Sequence, residues 1–319
     1  MNIVFMGTPE FAVPSLRALV REGYRIAAVV TQPDRPKGRK RELTPPPVKV
    51  AAQSYGIDVM QPVRLRDPAA VEQIASLKPD LIVTAAYGQI LPKAVLSMPK
   101  HGCINVHASL LPKYRGGAPV HRAVMNGEPV TGVTIMYMVE RLDAGDMIAR
   151  TEVPITDEDT AGTMFEKLSE AGAQLLVRTL PDLLAGRVRA IPQNDAEATY
   201  APNLTREDER IRWERSSMEL FNQVRGLNPF PGAFTLYNGD VFKVWACRKP
   251  SDNDGASAPS GVKPGTVLQM TDDGIEVKTG TGTIWLTRVQ PAGKKAMDVA
   301  ELRRGMSIAP GTVLGESEP

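Results

Sequence analysis

The sequence predicts an α/β protein: a doubly wound, mostly parallel, Rossmann-like sheet followed by a C-terminal OB-like β-barrel. The first half of the chain alternates short, continuously apolar runs with helical patterns, which is typical of a parallel sheet covered by helices on both faces. After about residue 185 the pattern changes to five short strands separated by turn residues, which favours a small barrel.

The apolar runs of the first half define the elements of the sheet. Strands are predicted at residues 2–6, 26–31, 80–85 and 103–107, and helices at 11–21, 47–55, 68–77 and 118–126. Residues 130–137 and 147–153 predict an antiparallel strand pair. Apolar residues recur at helical spacing over 160–184, which predicts a long amphipathic helix.

The second half of the chain is predicted to be a separate β domain. A helix is expected at 211–227 and strands at 233–236, 241–246, 265–269, 274–279 and 283–289, with an exposed loop at 250–264. The Asn238-Gly239 pair is a strong hairpin signal. The predicted organisation is an α/β domain at 1–189, a polar linker at 190–206 and a β domain at 207–319.

Composition restricts the class of protein. The 319 residues are 42% hydrophobic, enough for two folded cores. The sequence shows neither a membrane span nor a signal peptide, and its two separated cysteines form no disulfide framework, so a cytoplasmic protein is expected. The net charge is only +2, so a nucleic-acid partner can be argued only from local clusters of positive charge.

The first strand leads into a glycine-containing turn, Gly7-Thr8-Pro9. This turn is not a dinucleotide fingerprint, because residues 9 and 12 are Pro and Ala where that motif needs further glycines. Two interpretations stay open at this point. The turn either connects strand and helix tightly or lines a ligand cleft, since open α/β sheets bind ligands at strand ends.

Polar side chains at the end of one predicted strand are the strongest candidates for catalysis. Asn105 and His107 are two residues apart and therefore point to the same face. An amide N–H can stabilise a developing oxyanion, and an imidazole can move protons near neutral pH. Asp143 could accept a hydrogen bond from His107 and stabilise its cation. The alternative interpretation is that these residues form a polar strand edge without catalytic function.

Two other kinds of chemistry are disfavoured. The three histidines and two cysteines show no metal-ligand spacing, so no metal is expected. Ser109 lacks the glycine elbow of a serine nucleophile. Direct attack by an acceptor group therefore fits better than a covalent acyl-enzyme.

These residues resemble the folate-dependent formyltransferase family. The resemblance is carried by Asn105-Val106-His107, Ser109-Leu110-Leu111-Pro112 and Leu142-Asp143-x-Gly145-Asp146. It extends over nearly the whole chain through residues 5–11 (FMGTPEF), 31–36 (TQPDRP), 86–88 (AYG), 131–136 (TGVTIM), 228–229 (NP) and 290–297 (QPAGKKAM). The resemblance is greatest to those members that formylate an aminoacylated initiator tRNA.

The resemblance implies a catalytic triad of Asn105, His107 and Asp143 and 10-formyltetrahydrofolate as the formyl donor. The folate contacts that it implies are Ser109, Leu110, Leu111 and Pro112, with Ala86, Tyr87 and Gly88 lining the pteridine pocket. The sequence departs from the family at Asn203, where members usually have a lysine. A contact of that lysine with tRNA is therefore not carried over to this chain.

A basic segment at 35–49 is the candidate tRNA contact. It has six basic residues against the single acidic Glu42, and such a loop can bind phosphates with release of counterions. The predicted tRNA contacts are Arg35, Lys37, Arg39, Lys40 and Arg41. A charge run of this kind is otherwise a solvated surface, and it is the family resemblance that favours tRNA.

We expect Arg39→Ala to weaken use of the tRNA acceptor while sparing a small amine acceptor, because the resemblance matches this arginine to one in a loop that enters the acceptor-stem region of the tRNA. Formylation rates with the two acceptors test this expectation. Equal losses with both would refute a tRNA-specific function.

Four functions remain to be compared. The favoured one is formyl transfer from folate to the amino group of methionyl initiator tRNA by a monomeric enzyme. The others are formylation of another amine (an amino sugar or a ribonucleotide), tRNA binding without catalysis, and hydrolysis of the formyl folate. The intact triad argues against a non-catalytic protein.

Overall fold

The computed structural model describes residues 1–38, 41–251 and 261–315. The chain divides into two compact units. The N-terminal unit comprises Met1–Pro119, Val130–Pro154 and Phe165–Pro202. The C-terminal unit comprises Val120–Pro129, Ile155–Met164 and Asn203–Pro319. The predicted domain limits at 189 and 207 stay a prediction.

The N-terminal unit contains a seven-stranded mixed sheet with the strand order β5-β2-β1-β6-β7-β8-β9. Its strands are β1 Ile3–Gly7, β2 Ile26–Val30, β5 Val59–Met60, β6 Leu81–Ala85, β7 Cys103–His107, β8 Val130–Tyr137 and β9 Met147–Pro154. A short antiparallel hairpin, β3 Arg35–Lys37 and β4 Glu42–Thr44, is separate from this sheet. The first five sheet strands are parallel, and β8 is antiparallel to both of its neighbours.

Helices accompany the parallel strands. Those of the N-terminal unit are α1 Val13–Arg21, α2 Pro47–Ser54, α3 Pro68–Ser76, α4 Lys93–Leu96 and most of α6 Ala161–Leu184, whereas α5 Pro119–Met125 falls almost entirely in the C-terminal unit. Proline lies in the first turn of α1, α2 and α3, where its missing N–H costs no helical hydrogen bond. The long helix α6 lies close against the sheet, because a Cβ on Gly172 would be 2.8 Å from Val106 Cγ1.

The predicted fold class is confirmed: a mostly parallel α/β sheet precedes an antiparallel β domain. In the N-terminal unit, the strand β5, the helix α4 and the hairpin β3–β4 were not predicted. β5 has two residues and α4 has four, too few for a period to appear. The hairpin β3–β4 consists of charged residues with Pro36 and Gly38, which gave no apolar alternation.

The C-terminal unit is built on a six-stranded antiparallel sheet. Its elements are α7 Arg206–Glu209, α8 Ser217–Gly226, β10 Ala233–Tyr237, β11 Asp240–Arg248, β12 Val267–Thr271, β13 Gly274–Lys278, β14 Thr283–Gln290, β15 Met297–Asp298 and α9 Val299–Leu302. The strand order is β10-β11-β14-β13-β12, with β15 paired to β14. Leu314 and Gly315 donate their backbone N–H groups to Gly265 and Leu236. The segment around residue 314 therefore links the two edges of the sheet.

The helix predicted at 211–227 is shorter than expected. Ser216 and Glu219 form a capping box that starts α8 at Ser217, and this fixes the first turn. Ile211 and Trp213 are buried in the core of the unit instead, and Ile211 N donates to Phe234 O. Ile211 and Trp213 lie before the helix, but in the sequence their spacing continues its apolar pattern, so the predicted helix was too long. Most of the predicted loop at 250–264 lies outside the described residues.

An ion pair within the C-terminal unit predicts acid sensitivity. Both guanidinium nitrogens of Arg122 bond to the carboxylate of Asp208, at 2.7 and 2.9 Å. The hydrogen bond from Arg122, together with smaller contributions from hydrogen bonds of Thr205, lowers the pKa of Asp208 from 3.8 to about 2. Between these values the unfolded chain binds more protons, so the contribution of the pair to stability is full above pH 3.8 and is lost as the pH falls to about 2. Urea unfolding of wild type and Asp208→Asn across this range should show the steeper loss in wild type, and equal slopes would contradict the expectation.

None of the helices in the described ranges combines the length and apolarity that a membrane crossing requires.

Candidate active site at the carboxyl ends of the parallel strands

The strand order places a crevice between β1 and β6. The chain leaves these neighbouring strands toward opposite edges of the sheet, and ligands of open α/β sheets bind at such switch points. Thr8 Oγ1 donates to Tyr87 O at 2.8 Å, so the turn after β1 borders the turn after β6. Glycine at position 7 keeps the start of this turn compact, because a Cβ there would lie 2.7 Å from Ala12 Cβ in the following helical turn and 3.0 Å from Ala85 O at the end of β6.

The predicted pteridine-pocket residues form a strained turn. Ala86 and Gly88 both have positive φ, +45° and +88°, and both are exposed at the crevice end of β6. The side chain of Tyr87 points into the apolar core and is only 4% exposed. Its backbone carbonyl accepts from Thr8 and from Gln32 Nε2. The residue can therefore face a ligand only through its backbone.

The Tyr87 hydroxyl is a testable weak point of the core. It has no hydrogen-bond partner among the described residues, and burial raises its pKa to about 12. An unsatisfied buried hydroxyl is destabilising. We therefore expect Tyr87→Phe to raise the free energy of unfolding by about 1 kcal/mol without loss of transfer activity. Urea unfolding measures this change, and a loss of stability would show that the hydroxyl has a partner in solution.

Asn105 lies on β7 and is oriented by its neighbour strand. Thr84 pairs with Asn105 in the parallel register of β6 and β7. The Thr84 hydroxyl, which is buried, lies 2.8 Å from Asn105 Oδ1 and donates to it. Because Oδ1 accepts the hydrogen bond from Thr84, Nδ2 of the amide is left to donate to a ligand.

His107, at the end of β7, is 6% exposed and faces an oxygen on each side of its ring. Nε2 lies 3.1 Å from Tyr114 O. A carbonyl can only accept, so Nε2 carries the proton of this bond. Nδ1 lies 3.8 Å from Asp143 Oδ2, so the hydrogen bond expected between His107 and Asp143 is not formed, although the carboxylate is close enough to act on the ring through its charge. Nδ1 is therefore the ring nitrogen that faces the carboxylate.

Asp143 reaches His107 from the loop between β8 and β9. Its backbone is in the left-handed region, with φ of +47°, which aspartate tolerates better than most residues. Its Oδ2 accepts from Gly116 N at 2.8 Å. The structure thus brings the three predicted catalytic side chains to the same end of the sheet.

The segment Ser109–Pro112 follows β7 directly and is held by β8. Thr134 Oγ1 donates to Ser109 O at 2.7 Å and accepts from Leu111 N at 3.1 Å. The Ser109 hydroxyl is buried and donates to Lys113 O, an arrangement unlike that of an activated nucleophile. Ser109 and Leu111 are buried, whereas Leu110 and Pro112 are partly exposed.

The predicted tRNA contacts fall on the hairpin β3–β4. Arg35 and Arg41 are exposed, and Lys37 forms part of β3. Arg39 and Lys40 lie outside the described residues. The base of the hairpin is tied by Lys49, whose Nζ lies 2.9 Å from both oxygens of Asp34. Lys49 therefore serves an internal ion pair, although it was counted with the positive charge of the segment.

Hydrogen bonds to Asp34 from Gln61 and then from Lys49 hold the pKa of this carboxyl below its ordinary value. The ion pair at the base of the hairpin thus persists at neutral pH. Within the described ranges, no cluster of three His, Cys, Asp or Glu side chains could hold a metal ion.

Sequence reasoning missed two residues beside the triad. Arg115 is fully buried, and Gln193 bonds to the loop that carries Asp143. Gln193 lies in the stretch 190–206 that was predicted to be a linker. Arg115 lies three residues after the predicted ligand segment Ser109–Pro112, but the sequence does not show that its guanidinium is buried among acceptors.

Two sequence families match the chain. Residues 1–180 match the family described as formyl transferase, and residues 203–307 match the formyl transferase C-terminal domain. A methionyl-tRNA formyltransferase of Geobacillus thermodenitrificans is 57% identical over 99% of this chain and 98% of its own length. One from Bacillus subtilis is 54% identical over 98% of both chains.

Solved structures share the fold at low sequence identity. An N-formyltransferase of Helicobacter canadensis, solved with folinic acid and dTDP-3-aminofucose, has a TM-score of 0.65 at 17% identity, covering 92% of this chain and 99% of its own. HypX of Aquifex aeolicus, solved with tetrahydrofolic acid, has a TM-score of 0.63 at 20% identity. That match covers 95% of this chain and 46% of HypX.

The arrangement at the end of β7, the two domain matches and the full-length identity to curated relatives agree with one another. The chain belongs to the methionyl-tRNA formyltransferase family.

Proposed function

We propose that this protein transfers the formyl group of 10-formyltetrahydrofolate to the free amino group of methionyl initiator tRNA, by direct attack of the amine. The observation that carries the chemistry is the placement of His107 Nδ1 at 3.8 Å from Asp143 Oδ2 beside an oriented Asn105 amide. The full-length relatives that formylate methionyl-tRNA support the choice of acceptor.

Asn105 supplies the oxyanion contact in this mechanism. As the amine nitrogen bonds to the formyl carbon, the formyl oxygen gains negative charge. Nδ2 of Asn105 donates to that oxygen, while Thr84 keeps Oδ1 turned away from it. Donors that are fixed before the reaction stabilise the transition state without a reorganisation cost.

His107 moves the proton that the reaction releases. The attacking amine loses a proton as the new C–N bond forms, and the folate nitrogen gains one as its bond to the formyl carbon breaks. Nδ1 of His107 accepts the first proton and returns it for the second. The nearby Asp143 carboxylate stabilises the charge that the ring carries between the two steps.

The folate is proposed to lie in the crevice between β1 and β6. The exposed backbone of Ala86 and Gly88 lines one side for the pteridine, and Leu110 and Pro112 present partly exposed apolar surface after β7. Folate is the donor substrate here, and the proposal requires no metal.

The hairpin β3–β4 is proposed to contact the acceptor stem of the tRNA. Its anchor, the Asp34–Lys49 pair with Gln61, fixes the base of the hairpin. Arg35 and Arg41 are exposed beyond this anchor, so their charges are available to phosphates. Their proposed partners Lys37, Arg39 and Lys40 lie on the same segment.

The experiment follows the labelled formyl carbon of the donor. Parallel reactions contain methionyl initiator tRNA, methionyl elongator tRNA, glycinamide ribonucleotide or buffer alone, with His107→Ala as the inactive control. We expect label on initiator tRNA, lost in the variant. Label on another amine would overturn the acceptor and keep the chemistry, and free formate in buffer would indicate a hydrolase. Bound tRNA without donor consumption would indicate a non-catalytic protein.

A further inference from the structure

The loop that carries Asp143 is held by one side-chain amide. Gln193 Nε2 lies 2.8 Å from Asp143 O and 2.7 Å from Gly145 O. A primary amide has two N–H groups, so both of these bonds form at the same time. One side chain thereby fixes two backbone carbonyls of the loop that carries the proposed catalytic carboxylate of Asp143.

A buried arginine sets the orientation of that amide. Arg115 is 1% exposed, and its Nε and Nη2 lie 3.0 and 2.8 Å from Gln193 Oε1. A reversed amide would place N–H groups against a cation and oxygen against two carbonyls, so the observed orientation is strongly preferred. Arg115 Nη2 also donates to Asp195 Oδ1 at 2.9 Å, which balances its charge.

The same arginine fixes the second contact of Asp143. Its backbone N–H donates to Thr199 O, and its carbonyl accepts from Ala201 N. The next residue is Gly116, whose N–H holds Asp143 Oδ2 at 2.8 Å. The carboxylate and the backbone of Asp143 are therefore both held by groups that Arg115 positions.

We infer that Arg115 and Gln193 are positioning residues for the proposed reaction, which orient the Asp143 carboxylate toward His107 Nδ1. This inference rests on the proposed function. Neither side chain contacts the substrate in this proposal. They act through Asp143, and Gln193 does so from residues 181–202, a stretch that neither matched family segment includes.

Gln193 variants separate positioning from folding. Gln193 is partly exposed, so Gln193→Ala should fold. Gln193→Glu keeps an acceptor for Arg115 but has no N–H for the two loop carbonyls. We expect both variants to lower kcat about tenfold, with KM for donor and tRNA within about twofold of wild type.

The control is Asn194→Ala, which removes the adjacent amide, one that bonds to Ala196 N and Glu197 Oε1. It should keep the kcat of wild type. Unchanged kcat in both Gln193 variants would overturn the inference, as would a loss of kcat that follows a matching loss of Tm.

A double-variant cycle distinguishes positioning of Asp143 from a purely structural function of Gln193. In an Asp143→Ala background, single-turnover rates should change less than twofold on adding Gln193→Ala, because the carboxylate to be positioned is absent. A further tenfold loss there would overturn the inference. The wild-type protein in the same assay tests the proposed function separately. If wild type transfers no formyl group, the proposed function fails, whatever the variants show.

Discussion

Asn105→Asp should lower kcat by roughly 10²- to 10³-fold, the usual cost of removing one oxyanion donor. The substitution keeps the shape of the side chain and the acceptor for Thr84 Oγ1, 2.8 Å from Oδ1. It replaces Nδ2, the group proposed to donate to the formyl oxygen, by a negatively charged carboxylate oxygen that can only accept. The loss should therefore lie in the chemical step rather than in binding.

Single-turnover transfer at saturating donor, together with KM for the tRNA, tests this prediction. Asn238→Asp is the matched control, because Asn238 is exposed in the hairpin turn between β10 and β11 with φ of +50°, where aspartate also fits. A rate for Asn105→Asp within about threefold of wild type would assign oxyanion stabilisation to another group.

The sequence predicted this part of the site because its signal is local. β7 was expected at 103–107 and is observed at Cys103–His107. Alternation within one strand places Asn105 and His107 on the same face, and a strand end places them at the edge where α/β sheets bind ligands. The resemblance to formyltransferases then supplied the functional interpretation, which residue types alone leave ambiguous.

Asp143 required a contact that spacing cannot provide. It lies 36 residues after His107 along the chain, in the loop between β8 and β9. Its distance to the histidine depends on β8 pairing with β7 in one register, His107 opposite Thr134. The family resemblance named Asp143, whereas the geometry comes from the pairing of the strands.

The supporting residues were hidden for a different reason. Gln193 follows Pro192 in a polar stretch, which has the composition of a linker and shows no period. Its partner Arg115 is 78 residues away. A buried arginine looks like a surface arginine in sequence, and only the acceptors around it show the difference. Long-range polar networks of this kind leave no pattern in a single sequence.

Gly145→Ala should be the most damaging small substitution in the site. A Cβ at this position would lie 1.8 Å from Tyr137 O and 2.8 Å from Tyr137 C. These are backbone atoms of β8, which cannot yield as a flexible side chain would. The loop must therefore move by more than 1 Å, and Asp143 moves with it. A displacement of about 1 Å at a catalytic group costs on the order of 10²-fold in rate.

The expected result is a kcat about 100-fold below wild type, with a stability loss of about 1–3 kcal/mol from overpacking. Gly305→Ala is the matched control, since a Cβ there meets nothing within 4 Å. Transfer assays and urea unfolding of both variants measure the two effects. Full activity in Gly145→Ala would mean that the loop can shift without moving the carboxylate away from His107. In that case the rate would not depend on the 3.8 Å distance between Asp143 Oδ2 and His107 Nδ1. Proton transfer by His107 would then have to proceed without help from the Asp143 carboxylate.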